Sequence, residues 1–156
     1  MDKVNLAEKF ALFSDYWSPK VVGDLNGQQV KLVKCQGPFV WHHHDSEDEL
    51  FLVVKGRFRM EFRDRAVWME EGELIIIPHG VEHRPVADEE AQVLLFEPAS
   101  TVNTGSTESP LTRAELVHLR HCLSEASLAP TVLGWVPWGA ATLPGMGRGA
   151  AGRRQD

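Results

Sequence analysis

Between residues 21 and 96 the chain divides into eight short apolar or alternating stretches, none longer than eight residues, most of them separated by Gly, Pro, Asn or Asp. They are residues 21–25, 28–35, 41–44, 49–54, 57–63, 66–69, 73–77 and 92–96. Strands this short and this often interrupted do not suit a parallel sheet with crossover helices. They predict an all-β jelly roll or small barrel. Asn26-Gly27, between the first two, is the strongest two-residue hairpin signal in the chain. The alternation Arg57, Phe58, Arg59, Met60, Glu61, Phe62 puts Phe58, Met60 and Phe62 on one apolar face, whose first role is core packing. Ile75-Ile76-Ile77 has no alternation, which predicts burial on both faces, one of them against a second subunit.

The flanks read differently. Residues 5–13 predict a short helix, with Asn5 as N-cap, Glu8 three positions on, and Leu6, Phe10 and Phe13 on one side. Residues 111–126 predict an amphipathic helix, because Thr112 and Glu115 form a capping-box pattern and Leu116, Leu119 and Leu123 share a face. The last 27 residues hold six of the 13 glycines and neither lysine nor glutamate, so a flexible, disordered tail is expected. The domain reading is a barrel with its N-terminal helix over 1–104, a linker and helix over 105–129, and a tail over 130–156 that takes no part in any site.

Chemistry concentrates at a few histidines. His42-His43-His44 precede Glu49, and His83 follows 34 residues after Glu49. A strand turns alternate side chains to opposite faces, so His42 and His44 point one way and His43 the other. A register slip of one residue would exchange His43 for the pair. Imidazoles and a carboxylate converging on one point suit Fe, Mn, Ni, Cu or Zn with positions left open. General-base candidates are Glu61 and Glu82, although both read better as surface glutamates. Arg57, Arg59 and Arg84 are candidates for gripping an anionic group, with Arg84 favoured by its place beside His83.

A net charge of −6 over 156 residues disfavours nucleic acid, since nothing neutralises a row of phosphates. No apolar run is long enough to span a membrane, and the N-terminus shows no leader pattern. Cys35 and Cys122 stand in no metal or disulfide spacing, which fits a reducing cytoplasm.

At Gly37, His42, His44, Glu49 and Gly56, then at Gly72, Pro78, Gly80 and His83, the chain resembles the cupin superfamily. Gly37 stands one residue closer to the first histidine than in the family's motif, and Ala87 occupies the place of its asparagine. The resemblance implies a double-stranded β-helix, a metal held by His42, His44, Glu49 and His83, and a homodimer, here expected to join around Phe10, Phe13 and Trp17. It also implies a small-molecule enzyme of the isomerase or Fe-dependent dioxygenase type acting on a polar metabolite. A non-catalytic metal- or ligand-binding module is the alternative. Phe58, Met60 and Arg84 are the expected substrate contacts.

Overall fold

The computed structural model describes residues 3–119. Helix α1 (Leu6–Phe10) is followed by strands β1 (Lys20–Leu25), β2 (Gln28–Pro38), β3 (Glu49–Lys55), β4 (Phe58–Phe62), β5 (Ala66–Met69), β6 (Leu74–Ile77), β7 (His83–Pro98) and β8 (Val117–His118). Strand pairing runs β5-β4-β7-β2-β1-β8, and β3 joins β7 to β6. All pairs are antiparallel except β1 with β8. Asn26 and Gly27 both take positive φ, 52° and 80°, the two-residue turn that matches the right-handed twist of a hairpin. The jelly-roll barrel expected from the strand pattern is present.

The inner face carries the core. Val33, Cys35, Phe51, Val53, Phe58, Met60, Ile77, Val93 and Leu95 are buried together, with Phe62 packed at the margin. Burial of such side chains contributes roughly 1.5–3 kcal/mol each. Strand β7 is far longer than the expected 92–96, because its first half pairs with β4 and its second half with β3 while β2 runs beside both. Asp88-Glu89-Glu90 reads locally as a loop, yet it lies within that strand, opposite the bulge between Cys35 and Gly37.

Three expectations need correction. Helix α1 ends at Phe10, and Phe13 instead lies under the Lys20 and Lys34 ammonium groups at 5.7 and 5.6 Å. Phe10 and Trp17 are buried within the chain, so they are not free for a subunit contact. Within one chain the triple isoleucine is buried on one face only, since Ile77 is 2% exposed whereas Leu74 and Ile76 are each 56% exposed, and the outer face is the one left for the expected second subunit. Finally, residues 111–119 form no helix. The Thr112 hydroxyl is engaged by Thr104 Oγ1 at 2.7 Å and by the Ser109 amide at 3.2 Å, and the Arg113 amide donates to Asn103 Oδ1 at 2.8 Å. These bonds stitch the segment to the barrel as a turn that leads into β8, overriding the local helical pattern. The rest of that expected helix and the tail lie outside the described residues.

Candidate metal centre

His42 and His83 exchange backbone hydrogen bonds, His42 N to His83 O at 3.1 Å and His83 N to His42 O at 2.9 Å. This isolated antiparallel bridge stands where a strand over 41–44 is expected. It turns both rings inward. The Gly80 amide holds the His44 carbonyl at 2.7 Å, and Glu49 enters as the first residue of β3. The alternation holds, since His42 and His44 are buried while His43 points outward, 3.1 Å from Asp45.

His42, His44, Glu49 and His83 bring one ligand atom each to within 4.8 Å of one another. The Nδ1 atoms of His42 and His83 lie 3.0 and 2.9 Å from the carbonyl oxygens of Val40 and Val81. A carbonyl only accepts, so each Nδ1 carries the hydrogen and each Nε2 presents its lone pair inward. His44 Nε2 and His83 Nε2 stand 3.2 and 3.3 Å from Glu49 Oε2, yet all three atoms are buried without a hydrogen-bond partner. Orphaned buried polar atoms are costly. Three of them turned to one point are what a cation would satisfy, and an N₃O set with tautomers fixed by backbone carbonyls can hold a divalent transition metal.

Burial works against the Glu49 carboxylate, but His44 and His83 outweigh it and hold its pKa well below the usual range. Burial, helped by the neighbouring His83 ring, lowers His42 to about 4 from 6.5. His42 therefore stays neutral in the fold while the unfolded chain takes up a proton, so its contribution to stability falls as pH drops from 6.5 towards 4. The loss is about 3 kcal/mol. Glu97, whose pKa burial and the Glu49 charge raise, acts in the opposite sense above the ordinary carboxylate range. The His42 effect is therefore read by difference. In chelator-treated protein, urea titrations of wild type and His42→Gln across this window should diverge by that amount, and parallel pH profiles would contradict it.

Beside the four residues lies a cavity of about 30 Å³, room for roughly two waters. His42 and Glu49 reach its wall, which is otherwise built largely from Trp17, Phe39, Phe51, Phe58 and other apolar groups. Of the expected substrate contacts, Phe58 lines this cavity, Met60 is fully buried in the core, and Arg84 is not brought to it. Arg84 donates to Glu61 Oε2 at 2.9 Å and stacks on Trp41 at 4.9 Å. Arg57 and Arg59 lie over Trp68, and Glu82 binds Arg63 at 2.6 Å. Cys35 also faces the cavity, but burial pushes its thiol pKa up and keeps it protonated.

Sequence reasoning misses one wall. Asn103 lines the cavity and donates from its side chain to the Leu111 carbonyl at 2.9 Å. Gly105, with φ of +54°, presses so closely on the His43–His44 backbone that an added Cβ would stand 1.9 Å from the His43 carbonyl oxygen. The only local signal is that Asn103-Thr104-Gly105 reads as a turn.

The family model described as the cupin domain matches residues 30–97. A cupin-2 domain protein from Shewanella frigidimarina is 45% identical in its crystal structure and superposes with a TM-score of 0.60, over 61% of this chain and 93% of that one. This chain belongs to the cupin superfamily. The cupin is also similar to the uncharacterized protein YdbB of Bacillus subtilis, 33% identical over 78 residues, 49% of this chain and 63% of that protein. It is 30% identical over 78 residues to an acireductone dioxygenase of Phaeosphaeria nodorum, across 47% of this chain and 41% of that enzyme. The cupin thus spans less than two thirds of either curated relative. The family match stops at residue 97, short of Asn103 in the cavity wall and of Gly105 against the His43–His44 backbone.

Proposed function

We propose that this cupin is a metal-dependent small-molecule enzyme of the oxygenase type, with His42, His44, Glu49 and His83 as ligands to a divalent transition metal. The observation that carries this reading is the set of orphaned Nε2 and Oε2 atoms, grouped with His42 beside an apolar cavity. An isomerase needs a base beside the substrate, and among the described residues the cavity wall offers no histidine or carboxylate beyond the ligands. The likeness to acireductone dioxygenase supports the same choice.

The ion, when bound, supplies Lewis acidity and, as iron, the redox chemistry that dioxygen requires. The chain's own part is to fix the tautomers through Val40 and Val81, keep Glu49 ionised, and exclude water with Trp17, Phe39, Phe51 and Phe58. These walls narrow the expected polar metabolite to one with a polar, oxygen-bearing end and an apolar body. Protein loaded anaerobically with Fe(II) should consume oxygen when given an uncharged enediol or catechol, and should not respond to a sugar phosphate. Full iron occupancy with no uptake across such a panel would instead identify a non-catalytic binding module, a reading favoured by the small size of the cavity.

We also propose a homodimer. Its contact face is the outer surface of β6, β3 and β7, where register sets Ile76 beside Leu50 and Phe96, and Leu74 beside Leu52 and Leu94. Light scattering should give twice the chain mass, and Ile76→Lys should give the monomer; a wild-type monomer at micromolar concentration would contradict this.

A further inference from the structure

Among the apolar side chains of the inner face stand two charged ones whose placement packing does not explain. Lys31 Nζ lies 2.8 Å from Glu97 Oε1, and the two residues are 0% and 1% exposed. Desolvating such a pair costs more than its attraction commonly returns, so two apolar residues of similar size would serve stability at least as well. Position supplies the reason. The β3–β7 register pairs Leu50 with Phe96, and one step further sets Glu49 opposite Glu97 on the inner face. Lys31 is the diagonal neighbour of Glu97, since Gln29 pairs with Glu97 and Lys31 with Leu95.

We propose that Lys31 and Glu97 are a positioning pair that fixes the Glu49 carboxylate as a metal ligand. Lys31 anchors Glu97 through Oε1. Glu97 Oε2, buried and without a partner of its own, then restricts where Glu49 can place its oxygens, keeping Oε2 turned to His44 and His83. Glu97 does not line the cavity, so it reaches a substrate only through Glu49. Opposite one another on adjacent strands, the Glu49 and Glu97 side chains stand close enough to interact directly. Groups that orient ligands in this way typically account for a 10–100-fold effect on metal affinity.

The inference rests on the metal reading above, and the test separates the two. The double variant Lys31→Met with Glu97→Leu removes both charges and leaves an apolar pair, so chelated protein should melt no lower than chelated wild type. Cobalt(II), the probe, should bind it 10–100-fold more weakly, with a changed visible spectrum, because Glu49 is no longer held. Wild-type affinity and spectrum in the double variant would overturn the positioning role while leaving the metal site standing. Should that variant not fold, Glu97→Gln, which keeps the shape, is judged by the same two readings. A wild-type protein that binds no cobalt would overturn the metal site itself and the positioning role with it.

Discussion

Protein carrying both His42→Ala and His44→Ala is expected to retain its barrel and to lose its metal. The two rings provide half of the ligand set, and the remaining Glu49 and His83 cannot close a three- or four-ligand site. Each substitution also removes a buried imidazole, so the barrel tolerates the change with a cavity penalty of a few kcal/mol at most. His43→Ala is the control, because His43 is directed outward beside Asp45. Circular dichroism should report an intact sheet in both, while elemental analysis separates them. Equal metal loss from His43→Ala would mean that the inward face has been misassigned.

Gly105→Ala should be the most damaging single substitution in the loops around the site. Its Cβ would meet the His43 carbonyl oxygen at 1.9 Å and approach His44 Nδ1 at 3.4 Å, while φ of +54° strains any L side chain. The turn must then lift from the His43–His44 backbone, taking Asn103 and its hydrogen bonds to Leu111 and Arg113 with it. A loss on the order of 2–4 kcal/mol is expected. Gly72→Ala isolates the backbone part, since Gly72 has φ of +82° but no atom within 4 Å of its added Cβ. That variant should lose only about 1–2 kcal/mol. Equal urea midpoints for the two variants would show that the contact with His43 carries no weight.

What was legible in the sequence is what short-range geometry determines. Alternation along a strand puts His42 and His44 on the same side, and Asn26-Gly27 specifies its turn with two residues. Gly80 and His83 follow the β6 strand closely enough that their place is set by the same local count. The walls are different. Trp17, Phe39 and Asn103 meet at the cavity from three separate segments, and no periodicity within any one of them announces the meeting. The expected C-terminal helix failed for a related reason. Thr112 and Arg113 form their bonds with Thr104 and Asn103, eight and ten residues away, and those bonds outweigh the capping pattern. Lys31 and Glu97 show the same limit at longer range, since each alone reads as a solvated residue on a strand and only the register of β2 against β7 brings them together.

The central claim is that His42, His44, Glu49 and His83 hold a metal ion. Its most direct test is elemental analysis of the wild-type protein, reconstituted with one equivalent of each divalent transition metal in turn and then passed through a desalting column. One ion retained per chain with at least one of Fe, Mn, Ni, Cu or Zn is the expected result. Less than a tenth of an equivalent with every metal would contradict it.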